Sequence, residues 1–125
     1  GAEGVQIGSL FALSQESSAH EAFKSYCLKA VEGDTFLSLK QLAPVRLLRN
    51  KFFDLVREAE QRGASADEMR ALLGKGRAKK GMFEGELDEG ELEIGQVVAL
   101  IDEIKPVARI FEELLADYAV AVSRL

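Results

Sequence analysis

The sequence of 125 residues contains one cysteine, one histidine, two prolines and no tryptophan. With Cys27 as the only cysteine, a disulfide within the chain is excluded, and we expect a protein of a reducing compartment, the cytoplasm. One histidine and one cysteine are too few for a Cys/His zinc site, so we expect no bound metal. Neither a signal-peptide pattern nor an apolar run near the roughly 20 residues of a membrane helix is present, so we expect no membrane association.

An excess of positive charge is also missing. The sequence has 16 Lys and Arg against 21 Asp and Glu, for a net charge of −5. Because binding to nucleic-acid phosphates needs concentrated Lys and Arg, this balance argues against a nucleic-acid partner. The composition, 47% hydrophobic and 30% charged, is typical of a globular domain with a modest core.

Helical periodicity predominates in what is present. Ser18 and Glu21, and again Ser65 and Glu68, have the spacing of a capping box, in which a hydroxyl and a carboxylate satisfy backbone N–H groups at a helix start. Glycines and Pro106 then mark helix ends. The predicted helices lie over residues 18–33, 45–61, 65–73, from about 91 onward, and from 107 to 122.

Strand patterns are short and few. Val5 and Ile7 read as one face of a buried strand, and Phe36 to Leu39 predicts a second strand or an extended loop. The fold class predicted from the residues is therefore mainly α with one or two short strands.

Residues that could carry chemistry are sparse, and each has a plain structural alternative. Gly8 and Ser9 follow the first predicted strand, where backbone N–H groups and a hydroxyl can bind a phosphate, although a simple strand-to-helix turn uses the same residues. His20 lies in the first turn of a helix, which favours a capping or solvated role over catalysis. Cys27 lies on an apolar helix face and is expected in the core. The carboxylates of residues 84–93 favour a solvated loop, and no catalytic residue is predicted.

Three segments resemble one enzyme family, in order and over essentially the whole chain. They are GAEGVQIGSLFALSQESSAHEAFK (1–24), PVRLLRNKF (44–52) and EGELDEGELEIGQVVALIDEIKPV (84–107). These segments are similar to the nitronate monooxygenase / 2-nitropropane dioxygenase family, which includes FMN-dependent enoyl-ACP reductases of fatty acid biosynthesis. Ser9-Leu10 replaces the usual Thr-Arg of that family, and the serine keeps the hydroxyl.

The resemblance implies that the chain is the C-terminal piece of an FMN-binding (β/α)8 TIM barrel. Residues 1–33 would supply the last barrel strand and helix, and residues 34–125 a helical extension. The resemblance also implies that Gly8 and Ser9, with Gln6 and Ile7 adjacent, bind the FMN phosphate. Barrel enzymes commonly bind a phosphate in the loops that follow their last two strands. The catalytic histidine of the family lies in a Gly-Gly-His motif that this sequence does not contain, so His20 is not its counterpart.

Three further residues are weaker candidates. Gln96 would make a polar contact to flavin or substrate, or only bond to neighbouring backbone in a solvated loop. Arg46 and Arg49 would anchor a phosphate of the substrate or of a dinucleotide, or only form salt bridges with nearby acids.

The function implied is that of an FMN-dependent oxidoreductase, acting either as an enoyl-ACP reductase or as a nitronate monooxygenase. Its partners would be the upstream part of the same barrel and either an acyl-carrier-protein substrate or a small nitronate, with NAD(P)H as a co-substrate and a homo-oligomer as the assembly. Because the sequence opens on a strand and not on a start methionine, we expect a piece of a longer protein. The alternative is a catalytically inert helical fragment, or a packing and self-association module that lacks the flavin site.

Overall fold

The computed structural model describes residues 2–125, and most of its regular structure is helical. Two short antiparallel strands accompany the helices, so the prediction of a mainly α chain with one or two strands is confirmed. In chain order the elements are α1 (Ser9–Ala12), α2 (Glu21–Cys27), β1 (Thr35–Ser38), β2 (Val45–Leu48), α3 (Lys51–Gln61), α4 (Ala66–Leu73), a π-helical turn (Lys79–Phe83), a 3-10 turn (Gln96–Leu100) and α5 (Val107–Ser123).

The strand pair β1–β2 is extended on one side by an irregular segment. Thr35 pairs with Leu48 at one end of the ladder and Ser38 with Val45 at the other. On the opposite edge of β2, the N–H of Leu48 donates to the carbonyl of Leu92 at 2.9 Å, and the N–H of Ile94 donates to the carbonyl of Arg46 at 3.2 Å. Residues 92–94 therefore run antiparallel beside β2 and pair with it, on the edge opposite β1.

The predicted strand over Phe36 to Leu39 is confirmed by β1. Two helix predictions are wrong, one at residues 45–48 and the other from about residue 91. Residues 45–48 were expected to be helical and instead form β2, whose backbone groups are paired on both edges. The helix expected from about residue 91 is replaced by the segment that pairs with β2 and then by the 3-10 turn. Backbone pairing between distant segments overrides the local helical periodicity in both places.

The strand expected at Val5 to Ile7 is not formed in the described chain. A strand needs a neighbour that accepts and donates backbone hydrogen bonds, and no such neighbour lies beside these residues. Val5 is accordingly 83% exposed.

Helix starts agree with the sequence in α4 and differ in α2. In α4, Ser65 Oγ accepts from the N–H of Glu68, and Glu68 Oε2 accepts from the N–H of Ser65, which confirms the predicted capping box. In α2 the cap is His20 and not Ser18, because His20 Nδ1 accepts from the N–H of Ala22 at 3.0 Å. His20 thus has the predicted capping role.

Two hydrophobic clusters share β2 as a common wall. Leu47 and Leu48 point to opposite faces because side chains alternate along a strand. Leu48 belongs to the first cluster and Leu47 to the second. The first cluster also contains Leu13, Phe23, Cys27, Leu92, Ile94 and Val98, and the second contains Leu39, Phe52, Phe53, Val56 and Met69.

Cys27 lies inside the first cluster, as predicted. Burial raises the pKa of its thiol to about 12. The thiolate, which is the reactive form, is therefore scarce at neutral pH.

Helix α5 has the predicted position but buries little of its apolar stripe. Ile110 is its buried residue, whereas Phe111, Leu115 and Tyr118 are exposed at successive helical turns. Phe111 contacts Phe11, with ring centroids 5.3 Å apart. Within residues 2–125, no helix is both long enough and apolar enough to cross a membrane.

Candidate functional site

The hydroxyl of Ser9 joins two segments that lie far apart in the sequence. The backbone N–H of Gly95 donates to Ser9 Oγ at 2.9 Å, across 86 residues. Any side chain at position 95 would place its Cβ 2.7 Å from Ser9 Oγ, so this close approach requires glycine there. The structure therefore brings the Gly8-Ser9 turn and the glycine segment, which we define as residues 85–95, into direct contact.

The Gly8-Ser9 turn presents backbone donors at an open surface. The carbonyl of Gly8 accepts from the N–H of Ala12 at 2.9 Å and so begins α1. The N–H groups of Gly8 and Ser9 donate to no acceptor in the described part of the chain. A Cβ added to Gly8 would meet no atom within 4 Å. An anion can approach these two donors closely, and the Ser9 hydroxyl can donate its own proton while it accepts from Gly95.

Two clefts are lined by this turn. The first, of about 570 Å³, is lined by all four predicted phosphate-site residues together with Val97 and Leu114. Those four residues are Gln6, Ile7, Gly8 and Ser9. The second, of about 490 Å³, is lined by Gly8, Ser9, Arg46 and Gly95 among others. The predicted site residues at the start of the chain thus share one surface.

Arg46 and Gln96 meet in a third cleft of about 780 Å³, which Val31, Val97 and Leu100 also line. Arg46 Nη1 donates to the carbonyl of Thr35 at 3.1 Å and to its hydroxyl at 3.3 Å, which fixes the guanidinium beside β1. The side chain of Gln96 is exposed and makes no hydrogen bond to residues 2–125.

Arg49 lies apart from these residues. Its Nε is 3.4 Å from Asp54 Oδ1 in an exposed ion pair, and its carbonyl accepts from the hydroxyl of Tyr26 at 2.6 Å. It lines a separate charged cleft of about 460 Å³. The structure therefore does not bring Arg49 to the Ser9–Gly95 contact.

Asn50 is a residue of this region to which the sequence analysis gave no role. Its Oδ1 accepts from the N–H of Phe53 at 2.8 Å and caps α3. Its Nδ2 donates to the carbonyls of Leu87 at 2.7 Å and Gly90 at 2.8 Å, which ties the glycine segment to the junction of β2 and α3. An asparagine before a helical stripe is a recognisable N-cap signal, whereas the two loop contacts have no sequence signal.

The carboxylates of residues 84–93 are mostly solvated, as the sequence analysis predicted, and Glu91 is the exception. Glu84, Glu86 and Glu89 are exposed, whereas Glu91 is buried. Burial is the main cause that raises the pKa of Glu91 to about 6, the neighbouring Glu93 raises it further, and Arg77 partly opposes the shift. No cluster of three His, Cys, Asp or Glu side chains able to hold a metal ion occurs in residues 2–125.

Comparison with known proteins gives a family and a solved relative. Residues 1–117 match the nitronate monooxygenase family. The structure of FabK from Thermotoga maritima is similar, with 35% identity, a TM-score of 0.88, and coverage of 99% of this chain and 39% of that one. A mutant of the same FabK gives 35% identity, a TM-score of 0.80, and coverage of 99% and 37%.

No curated protein matches the sequence significantly. The chain spans less than two-fifths of the length of the two FabK chains. Because the family match covers most of its residues, the chain belongs to the nitronate monooxygenase family.

Proposed function

We propose that this chain is the C-terminal part of an FMN-dependent oxidoreductase and that it supplies the binding site for the FMN phosphate. Membership of the nitronate monooxygenase family supports the reaction class. The observation that carries the phosphate site is the Gly8-Ser9 turn, where two backbone N–H groups with no acceptor among residues 2–125 adjoin a hydroxyl held by Gly95. Residues 1–33 would complete a (β/α)8 barrel whose other strands precede them, and residues 34–125 would form its helical extension.

Each residue of the turn has a proposed role. The N–H groups of Gly8 and Ser9 donate to phosphate oxygens, and the Ser9 hydroxyl adds a third donor. Gln6 and Ile7 line the cleft that leads to this point. Bound FMN would supply the electron transfer, while the protein positions it.

Two substrate classes fit this family, and the shape of the chain favours one of them. An enoyl chain carried by acyl carrier protein is long, and NAD(P)H would be its hydride donor, whereas a nitronate is small. In the cleft of about 780 Å³, an acyl chain would lie against Val31, Val97 and Leu100. We therefore favour the enoyl-ACP reductase type, with Arg46 as an anchor for a phosphate of the substrate or of the dinucleotide.

The reaction type is tested by two assays on the full-length enzyme. We expect NAD(P)H oxidation that depends on an enoyl-ACP substrate, and little oxygen consumption with an alkyl nitronate. The opposite pattern would assign the nitronate monooxygenase reaction instead.

The phosphate site is tested by replacing Gly8 with valine in the full-length enzyme. In this chain a Cβ at position 8 meets no atom of residues 2–125 within 4 Å, so we attribute a loss of FMN to obstruction of the phosphate. We expect the dissociation constant of FMN to rise at least about 100-fold, roughly 2.7 kcal/mol. Gly4→Val is the matched control, because a Cβ at Gly4 also meets no atom within 4 Å. Equal FMN occupancy in the two variants would contradict the assignment.

Gln96 is proposed as a polar contact to flavin or substrate, because its side chain is exposed in the cleft that also contains Arg46. Gln96→Ala should raise KM or lower kcat by about tenfold, the equivalent of about one hydrogen bond. Both constants within twofold of wild type, together with a lower melting temperature, would assign Gln96 a structural role. Arg49, in its separate cleft, is the member of the set for which we favour the structural role.

The inert fragment is the remaining alternative for the 125 residues on their own. Absorbance of bound flavin distinguishes the two possibilities. We expect the isolated chain to be colourless and the full-length enzyme to be yellow, and a colourless full-length enzyme would contradict the proposal.

A further inference from the structure

We propose that Asn50 is a positioning residue, which holds the glycine segment so that the N–H of Gly95 orients the hydroxyl of Ser9 toward the phosphate. This inference rests on the proposed phosphate site. Asn50 itself forms no hydrogen bond with Ser9 or Gly95, and it would act through the backbone from Gly90 to Gly95.

The side-chain amide of Asn50 uses both its oxygen and its nitrogen in hydrogen bonds. An asparagine amide has two N–H donors and one carbonyl oxygen. The oxygen caps α3 through the N–H of Phe53. The amide nitrogen donates to the carbonyls of Leu87 and Gly90, so that two points of the glycine segment are held by one side chain.

The backbone between Gly90 and Gly95 has little freedom to absorb a displacement. A Cβ at Gly90 would collide with backbone atoms of Gly81 and Glu86, so the backbone around Gly90 is closely packed. Leu92 and Ile94 then pair with β2 at 2.9 and 3.2 Å. Asn50 therefore holds the Gly90 end of a short segment whose following residues are paired with β2, and loss of its two contacts would loosen this segment, which ends at the Gly95 contact with Ser9.

A helix cap alone does not require asparagine. Aspartate and serine also accept from backbone N–H groups at an N-cap, with similar effectiveness. Neither of them can donate two hydrogen bonds to carbonyls, and an aspartate would place negative charge against both carbonyl oxygens. Asn50→Asp and Asn50→Ser therefore keep the cap of α3 and remove the contacts to Leu87 and Gly90.

The test is the FMN dissociation constant of the full-length enzyme with these two variants. We expect about tenfold weaker FMN binding in each. Ser65→Ala is the matched control, because it removes the cap of α4, which lies outside the glycine segment. It should lower the melting temperature but leave the FMN dissociation constant within twofold of wild type. Using two Asn50 variants guards against one that fails to fold.

A double-mutant cycle tests the route through Ser9. Ser9→Ala alone should raise the FMN dissociation constant about tenfold. The double variant, Ser9→Ala with Asn50→Ser, should raise it by no more than about the same factor. Residues that act through one contact give such non-additive effects. An additive loss near 100-fold would overturn the proposed route.

The outcomes separate this inference from the site on which it rests. If Gly8→Val loses FMN while both Asn50 variants bind it as wild type does, the phosphate site stands and the role of Asn50 is overturned. A loss in Ser65→Ala equal to that in the Asn50 variants also overturns it, because general stability would then explain both. If Gly8→Val binds FMN normally, the phosphate site itself is wrong.

Discussion

Helices α3 and α5 carry similar apolar stripes but differ in what covers them. Phe52 and Val56 of α3 are completely buried, against Leu47 of β2 and Met69 of α4. In α5, by contrast, Phe111 is 53% exposed, Leu115 65% and Tyr118 69%. The apolar stripe of α3 is covered within the described chain, whereas that of α5 is covered only in part, at Ile110 and by the contact of Phe111 with Phe11. Amphipathic pattern alone thus predicts that a helix will form, but not which surface will bury it.

The proposed phosphate site lies where these two regions meet. Gly95 is held by the covered region, through β2 and Asn50, whereas Gly8 and Ser9 belong to the open side. Ser9 Oγ and the N–H of Gly95 connect the two. Residues of both regions therefore contribute to the proposed site.

The largest effect expected from this comparison is on folding stability. Phe52→Ala should lower the free energy of unfolding by about 3–5 kcal/mol, because it removes a fully buried ring and leaves a cavity. It also removes the aromatic face over which the Arg77 guanidinium lies, 4.5 Å from the ring centroid. Phe111→Ala should cost less than about 1 kcal/mol in the 125-residue chain. Urea unfolding measures both.

Equal losses of unfolding free energy in Phe52→Ala and Phe111→Ala would contradict the difference in burial between α3 and α5. A sharper version repeats the Phe111→Ala measurement in the full-length protein. If another part of the full-length protein covers Phe111, the loss should rise toward that of a buried ring.

A somewhat smaller effect is expected from Gly90→Ala. The added Cβ would collide with backbone atoms of Gly81 and Glu86, which cannot rotate away as side chains do. We expect a loss of about 2–3 kcal/mol, as is usual for overpacking. Gly4→Ala is the control on the open side, where the new methyl group meets nothing within 4 Å. A similar loss in both variants, measured by thermal unfolding, would contradict the tight packing of the glycine segment.

The sequence predicted the elements that depend on local signals. The capping box of Ser65, the position of β1 and the long stripe of α5 were all found from residues close together in the chain. Elements that depend on pairing at a distance were missed. Val45 to Leu48 continues the stripe of α3 on a helical wheel, yet it pairs with β1 and with residues 92–94.

The candidate site shows the same division. Gly8 and Ser9 were singled out from a local pattern, and residues 84–107 from the family resemblance. Their hydrogen bond across 86 residues could not be predicted, because no local signal relates positions 9 and 95. The role of Asn50 was missed for the same reason, since its cap is local and its loop contacts are not.

The next prediction concerns Glu91, which lies in the covered region with 6% exposure. Burial raises its pKa in the folded state from about 4.5 to about 6. The folded state therefore binds this proton more tightly than the unfolded state, so the contribution to stability is complete below about pH 4.5 and is lost as the pH rises through 6. Glu91→Gln should be more stable than wild type by about 1–2 kcal/mol at pH 7.5 and no more stable at pH 4.

Chemical unfolding at both pH values tests this prediction. Glu93→Gln is the control, because Glu93 is less buried than Glu91 and its substitution removes only the repulsion between the two carboxylates. A gain for Glu91→Gln that is the same at pH 4 and pH 7.5 would show that the buried charge is not its cause.

The smallest effect on folding is expected on the open face of α5, where the change should appear in association instead. Phe111, Leu115 and Tyr118 form a contiguous exposed apolar stripe, and such surfaces promote contact with another protein surface. Leu115→Glu should change the free energy of unfolding by less than about 0.5 kcal/mol, as is usual for exposed positions, while it reduces self-association of the isolated chain in sedimentation velocity. Ala116→Glu adds the same charge away from the stripe and should leave association unchanged. If both variants associate to the same extent, the stripe is not the contact surface and the contrast between α3 and α5 has no consequence for assembly.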